Sequence, residues 1–190
     1  NICLVIVGFK REKTFIEDIF NGSNLSSIIR KLNIPVLVIK TEDEPIYKNI
    51  LIPTDLSKAS RNNIKYLISI FPEANFHIEH YYKAFFEDRV KLYGFDDEEA
   101  HDFVDFYAQE AEDELNKFIE KLELNSDIKV FTKAKKYLDI KTMVEESIEY
   151  KTIDLLSLSV GTSLSIFSFD LLEHSSKDVI IYRIDEDSLD

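Results

Sequence analysis

An acidic residue at the end of an apolar segment is the strongest chemical feature of this sequence. The segment is predicted to form a strand over residues 48–53, and Asp55 follows it after Pro53. Ser57 then has the position of a helix N-cap, ahead of a helix predicted over residues 57–70. Open α/β sheets bind ligands at the carboxyl ends of their strands, so this order predicts a carboxylate at a ligand-binding edge. Bracing of the turn and the helix cap is the alternative role for Asp55.

This strand, acid and helix resemble the first strand and helix of the universal stress protein family, whose small domains often bind ATP there. ATP-binding members carry a loop after the fourth strand, with the order glycine, two residues, glycine, nine residues, glycine, and Ser or Thr. Such glycines let the backbone approach the phosphates, and the last residues open a helix whose N-terminus favours anions. The resemblance therefore implies an adenine-side role for Asp55 and a phosphate loop further along the chain.

The loop at that later position departs from the family pattern. Gly161 keeps the first glycine, but Leu164 stands where the second should be, and no later Gly-Ser follows. The hydroxyls of Thr162, Ser163 and Ser165 offer replacement donors, but their backbone lacks the conformational freedom of glycine. We therefore expect a degenerate phosphate loop, no bound cofactor and no turnover. ATP binding by this loop together with the acid after the first strand is the alternative.

An earlier segment repeats the order of apolar strand, glycine, polar loop, helix and apolar strand. Residues 1–40 and 152–184 share this order. In the earlier loop a cation replaces the middle glycine, and the spacing is one residue too long for the family pattern. Its residual phosphate-loop residues are Gly8, Arg11, Gly22 and Ser23. Because this segment lacks a first strand and acid of its own, it cannot form a whole ATP site alone.

The resemblance, together with this repeat, implies the C-terminal part of a tandem universal stress protein. Because the chain opens on Asn1 inside an apolar segment, we expect it to be part of a longer protein. The implied units are a C-terminal strand-helix-strand fragment of a first domain (1–40), a linker (41–46), a complete domain (47–185) and a tail (186–190).

Alternating strands and helices predict an α/β fold with an open, mostly parallel, Rossmann-like sheet. Strands are predicted over residues 2–7, 35–39, 48–53, 75–82, 127–132, 153–160 and 178–183. Further helices are predicted over residues 97–122 and 139–150. The resemblance implies the strand order 3-2-1-4-5 for the complete domain, as in adenine nucleotide alpha hydrolase-like folds, with the extra unit against the sheet edge. We expect strand 2–7 to be buried on both faces, because its apolar run does not alternate.

Two of these apolar strands are predicted to pair with each other. In the family the last strand is an edge that pairs with the last strand of another copy, and bare apolar edges favour pairing. The corresponding strands here are 35–39 and 178–183, and their candidate interface residues are Val36, Val38, Val179 and Ile181. We therefore expect these strands to meet, either within one chain or in a homodimer.

Other candidate chemistry is weaker. His77 and His80 lie three apart on a predicted strand, hence on opposite faces, and do not form a chelating pair. His101 and Asp105 are four apart on a helix, without an evident third metal ligand. No Gly-x-Ser-x-Gly elbow occurs. We therefore expect no metal site and no enzyme, with a slow ATPase as the alternative.

Composition limits the partners and the compartment. A net charge of −13 argues against a nucleic-acid partner, which needs clustered Lys and Arg. No apolar run approaches the roughly 18 residues of a membrane span, so no membrane partner is expected. The single cysteine, Cys3, rules out a disulfide framework and is predicted to be a buried filler of the first strand. Together these features favour a cytoplasmic protein.

Overall fold

The computed structural model describes most of the chain. The described residues are 3–8, 34–41, 46–83, 97–136, 139–150, 152–160, 171–172 and 175–183. Within them, seven strands form one sheet, and three helices pack on its two faces.

The described elements follow the predicted alternation. The strands are β1 (Val5–Gly8), β2 (Val36–Ile39), β3 (Asn49–Thr54), β4 (Asn75–Tyr82), β5 (Lys129–Lys136), β6 (Leu155–Val160) and β7 (Asp178–Arg183). The helices are α1 (Lys58–Ile70), α2 (Asp97–Glu120) and α3 (Ile140–Tyr150). None of the helices in the described ranges is long and apolar enough to cross a membrane.

The sheet confirms the predicted α/β class. Its strand order is β1-β2-β7-β6-β3-β4-β5. Read from β5 to β7, the five strands of the predicted complete domain have the expected order 3-2-1-4-5. Every neighbouring pair is parallel except β2 and β7, which are antiparallel. The carboxyl ends of β3, β4, β5 and β6 therefore lie at one edge of the sheet, where open α/β folds place their ligands.

Alternating side chains of the strands fill two apolar clusters, one on each face of the sheet. On one face, Leu51 and Leu156 pack in a cluster with Val144 and Ile148 of α3. On the other face, Ile50, Ile52 and Phe76 share a cluster with residues of α1 and α2. Helices on both faces explain the nearly continuous apolar run of β3, because both sides of this strand are buried.

Helix α1 positions the start of the candidate site. Its N-cap is Ser57, and its apolar side chains Ile64 and Leu67 recur at helical spacing and are fully buried. It ends at Ile70, and its C-cap is Phe71, whose backbone N–H donates to the Leu67 carbonyl at 2.9 Å. The cap and the buried stripe together fix the direction in which the first turn of α1 leaves β3.

The prediction that the first strand is buried on both faces is wrong. Val5 and Val7 pack against the α3-side cluster, but Ile6 on the other face is 64% exposed. Within the described chain β1 is an outermost strand, so a purely apolar sequence does not ensure two covered faces. Cys3 precedes β1 and is exposed, which also corrects the expectation of a buried filler.

The fifth strand lies further along the chain than its apolar pattern predicted. Residues 127–132 were expected, whereas β5 is Lys129–Lys136. Its pairing with β4 continues to the Tyr82–Lys136 position. Backbone pairing with an interior strand thus extends the strand into a lysine-rich sequence without an apolar pattern.

Candidate functional site at the carboxyl edge

Asp55 joins the end of β3 to the start of α1. Its Oδ1 accepts hydrogen bonds from the Ser57 backbone N–H at 3.1 Å and from the Ser60 hydroxyl at 2.5 Å. The Ser57 hydroxyl accepts a 3.0 Å hydrogen bond from the Ser60 backbone N–H, which caps the helix. Asp55 therefore braces the first turn of α1, one of the two roles that its position predicted. Among the described residues both bonds use Oδ1, which leaves Oδ2 as an acceptor for a ligand.

The backbone next to Asp55 is strained. Leu56 has a φ of 63°, a left-handed conformation that costs a residue with a side chain about 1–2 kcal/mol. Its backbone N–H donates to the Thr54 hydroxyl at 3.1 Å, which helps to hold the turn. Strained residues of this kind cluster at binding and switch sites. The strain therefore supports a functional role for the turn between β3 and α1.

A cavity of about 390 Å³ lies beside this turn. Its size is in the usual range of small-molecule sites, roughly 300–1,000 Å³. Charged side chains of both signs line it, namely Asp55, Glu114, Arg61, Lys117 and Lys121. The remaining lining residues are Leu56, His80 and Phe118. The sequence predicted only Asp55 among the charged residues, so the cations are a finding of the structure.

Contacts between α1 and α2 hold one of these cations in place. The guanidinium carbon of Arg61 lies 5.8 Å from the centre of the Phe118 ring, a cation–π distance. Arg61 Nε is shielded from solvent and has no hydrogen-bond partner among the described residues. On the strand side of the cavity, His80 Nδ1 lies 3.1 Å from the Thr54 carbonyl oxygen.

A buried ionic network lies on the α3 side of the sheet. Glu79 in β4 is completely buried, and its Oε2 lies 3.0 Å from Lys135 Nζ. The Ser147 hydroxyl donates to the same oxygen at 2.8 Å, and the Tyr81 hydroxyl donates to it as well. Burial and the neighbouring Glu79 carboxylate raise the pKa of Tyr81 well above its ordinary value. The network thus joins β4, β5 and α3.

The sequence patterns above did not single out Glu79 and therefore missed this network. The available signal was the strand period, which places residues 77, 79 and 81 on one face. That face packs beneath α3, where a charge must have a partner. Lys135 provides it from β5, at the position opposite Tyr81. Only the strand register identifies this lysine among the several in β5.

A second buried polar group lies between α1 and β6. Asn63 Nδ2 donates to Ser157 Oγ at 3.1 Å and to Ser159 Oγ at 3.3 Å. All three residues are buried. The two serines are two apart on β6 and therefore share a face of the sheet. This contact fixes the end of β6 against α1, immediately before the predicted phosphate loop.

Most of the predicted phosphate-loop residues lie outside the described residues. These residues are Gly161, Thr162, Ser163 and Ser165 of the later loop, and Arg11, Gly22 and Ser23 of the earlier one. Gly8 is described and ends β1. A Cβ atom added there would meet no atom within 4 Å, so packing against the described residues does not require glycine.

The four predicted interface residues lie on two strands that pair within the chain. In the antiparallel pair β2–β7, Val36 lies opposite Ile181 and Val38 opposite Val179. All four side chains are buried in the α3-side cluster. The two strands therefore form part of the core of a continuous sheet.

A carboxylate at the start of β7 binds residues of the segment between β2 and β3. Asp178 is 1% exposed and accepts hydrogen bonds from the Lys40 backbone N–H at 2.7 Å and the Thr41 backbone N–H at 2.9 Å. The Tyr47 hydroxyl donates to its other oxygen at 2.7 Å. Burial and the contact with Asp178 raise the pKa of Tyr47 above its ordinary value. We refer to this arrangement of Asp178, Lys40, Thr41 and Tyr47 as the Asp178 clasp.

Comparison with known proteins gives different results for sequence and structure. No protein-family profile matches the sequence, and no curated protein matches it. Solved structures, in contrast, match with high probability.

The similar structures are universal stress proteins and a protein of unknown function. A universal stress protein from Archaeoglobus fulgidus is 14% identical with a TM-score of 0.63, over 98% of this chain and 63% of that one. A functionally unknown protein from Pseudomonas aeruginosa is 13% identical with a TM-score of 0.62, over 98% of this chain and 64% of that one. The universal stress protein UspA from Lactobacillus plantarum is 22% identical with a TM-score of 0.55, over 74% of this chain and 100% of that one.

These likenesses concern the fold, because the identities are low. The chain spans less than two thirds of the length of the archaeal protein and of the Pseudomonas protein. Over its own length, however, nearly all of it superimposes on both. The chain therefore has the fold of the universal stress proteins.

Proposed function

We propose that this protein is a universal stress protein-like module of the stress response, which acts by binding other proteins without chemical turnover. The proposal rests on the antiparallel pairing of β2 with β7. This pairing joins β1 and β2 to the other five strands in one continuous sheet. Strand addition at a sheet edge is a general means by which proteins bind one another. Assembly across sheet edges is therefore the function that this geometry supports best.

The proposal includes a tandem arrangement, in which residues 1–40 end a first domain and residues 47–185 form a second. The UspA protein from Lactobacillus plantarum aligns over its full length with only 74% of this chain. The longer archaeal protein aligns with 98% of it. The parallel pair β1–β2 extends the sheet beyond the five strands of one domain. A chain larger than one domain and shorter than the archaeal protein fits this arrangement.

Two acids near the carboxyl edge support the absence of turnover. A general acid or base must come within roughly 3 Å of its substrate. Glu79 is completely buried and paired with Lys135, so a substrate cannot approach it. Asp55 already holds the α1 cap with Oδ1. Glu79 is thus inaccessible as an acid–base group, and one oxygen of the Asp55 carboxylate is engaged in the helix cap.

Binding of ATP beside Asp55 is the second candidate function. It is favoured by the cavity of about 390 Å³ and by Oδ2 of Asp55, which is available to a ligand donor such as an amino group. In this case the protein would be a regulatory nucleotide-binding module with weak or no ATPase activity.

Calorimetric titration with MgATP, combined with a phosphate-release assay, separates the two candidates. We expect neither micromolar binding nor phosphate release by the wild-type chain. Asp55→Asn removes the carboxylate charge, and Ser60→Ala is its matched control, because it removes an Asp55 hydrogen bond but leaves the carboxylate. Micromolar binding that is lost in Asp55→Asn and kept in Ser60→Ala would establish the second candidate. Phosphate release above the buffer rate would overturn the absence of turnover.

A further inference from the structure

We propose that the cavity between α1 and α2 binds the phosphate group of a small molecule through Arg61, Lys117 and Lys121. This phosphate site lies on the helix side of Asp55. It is distinct from the glycine-containing loop after β6, to which the family resemblance assigns phosphates. The inference goes beyond the proposed function, which requires no small ligand.

Next to the cavity, Arg61 has a hydrogen-bond donor that no described residue uses. Its Nε is shielded from solvent and lacks a partner among the described residues, although the residue lines the cavity. A buried donor without a partner is destabilising, so such a group is normally satisfied by water, an ion or a ligand. The planar guanidinium can donate two parallel hydrogen bonds to a phosphate. The Phe118 ring, 5.8 Å away, limits the positions that the guanidinium can take.

Two lysines bring further positive charge to the same cavity. Lys117 and Lys121 are four residues apart on α2 and in the turn that follows it, so they project from the same side. Among the described residues neither lysine forms an ion pair. Lys117 lies in the last turn of α2, where positive charge complements the helix dipole, but at this spacing the two lysines repel each other. An anion between these lysines and Arg61 would remove their repulsion.

The charge of the cavity contrasts with the charge of the chain. The whole chain carries −13, whereas three permanent cations and two acids line this cavity. One of the acids, Asp55, already accepts two hydrogen bonds from α1. The local charge is therefore positive in an acidic protein, and it would attract anions in preference to cations.

The remaining lining limits the kind of ligand. Leu56 and Phe118 provide an apolar surface, and the volume of about 390 Å³ admits a group larger than phosphate alone. Asp55 would repel a second anionic group but would accept a hydrogen bond from a donor. The ligand class is thus a small organic phosphate with an uncharged or donor-bearing body.

Titration of the intact chain with inorganic phosphate, followed by NMR of the arginine side chains and by calorimetry, tests the site. We expect saturable binding with a shift of the Arg61 Nε–H signal, and weaker binding as salt is raised. Arg61→Gln and Lys117→Gln should each weaken binding by about tenfold or more, because a hydrogen bond to a charged group is lost. Lys65→Gln, an exposed lysine of α1, is the matched control and should bind like the wild type.

Two outcomes would overturn the site. The first is an unchanged Arg61 Nε–H signal at saturating inorganic phosphate. The second is equal weakening by Lys65→Gln and Lys117→Gln, which would show attraction by surface charge alone. Lys117 is exposed, so its variant tests the site even if Arg61→Gln impairs folding. A double Ser163→Ala, Ser165→Ala variant must retain phosphate binding, whereas loss would place the anion at the loop after β6. None of these results depends on whether the chain binds proteins or hydrolyses ATP.

Discussion

At the scale of single residues, the buried Glu79 has the largest expected influence on stability. A carboxylate removed from water is tolerated only when it is paired and hydrogen-bonded. Glu79 meets both conditions through Lys135 and through the hydroxyls of Ser147 and Tyr81. Lys135 lies in β5 and Ser147 lies in α3. The network therefore forms only when β4, β5 and α3 are correctly assembled.

Removal of the lysine from this network should strongly destabilise the fold. Lys135→Met leaves Glu79 buried without its counter-charge, and we expect a loss of about 3–5 kcal/mol in the free energy of unfolding. Urea denaturation followed by circular dichroism measures this loss. Lys133→Met is the control, because Lys133 lies directly opposite Glu79 in the sheet but is exposed. A loss below about 1 kcal/mol for Lys135→Met would show that the ion pair is not required.

The hydroxyl of Tyr81 gives a pH-dependent prediction. Burial and the Glu79 carboxylate raise the pKa of Tyr81 in the folded state. In the unfolded state, a tyrosine has a pKa of about 10. Above that pH the unfolded state binds fewer protons, so the free energy of unfolding falls by about 1.4 kcal/mol per pH unit from this residue. Below that pH its full contribution is present. Tyr81→Phe should remove this part of the alkaline slope in urea titrations, and an identical slope in both proteins would contradict the assignment.

The candidate site could be predicted from the sequence only in part. Asp55 was identifiable because a strand, a proline and an N-cap serine surround it in the sequence. Arg61 and Lys117 were not, because they belong to two helices whose packing alone brings them to one cavity. Local patterns reveal groups placed by their own strand or helix. Groups that meet through tertiary packing carry no such signal.

At the scale of elements, strands with a neighbour on each side were predicted more accurately than the two outer strands. β3, β4 and β7 lie within one residue of their predicted bounds, because their apolar residues coincide with their pairing. The outer strands β1 and β5 deviate more. Their bounds depend on the neighbouring strand rather than on their own composition, as the lysine-rich end of β5 shows.

The Asp178 clasp should control how firmly β2 pairs with β7. Asp178→Asn keeps the shape of the side chain but removes a charge that accepts bonds from two backbone N–H groups and a hydroxyl. We expect a loss of about 2–3 kcal/mol in unfolding free energy, because hydrogen bonds to charged groups are strong. Amide hydrogen exchange of Val36–Ile39 should accelerate more than that of β3.

A control separates the clasp from a general effect of charge. Asp127→Asn changes an exposed acid in the turn before β5 and should leave both unfolding and exchange nearly unchanged. If Asp178→Asn accelerates exchange equally in β2 and β3, the clasp stabilises the whole fold rather than the β2–β7 pair.

At the scale of the whole molecule, the two outer strands of the described sheet have opposite character. β5 carries lysines at four of its eight positions, a composition that opposes pairing with another strand. β1 is Val-Ile-Val-Gly, with Ile6 64% exposed. β7 cannot serve as an edge, because β2 and β6 occupy its two sides. Any further strand is therefore expected to add at β1.

Self-association through β1 follows from this asymmetry. In a dimer that pairs through β1, a charge at position 6 would be buried or would lie close to the same charge of the second copy. Ile6→Lys should therefore shift a concentration-dependent dimer to monomer, as measured by sedimentation velocity. Ile46→Lys is the matched control, because Ile46 is similarly exposed at 69% but lies outside the strands. Equal dissociation by both variants would indicate non-specific apolar contact. A wild-type chain that stays monomeric at all concentrations would refute pairing at β1 and, with it, assembly of identical chains by this edge.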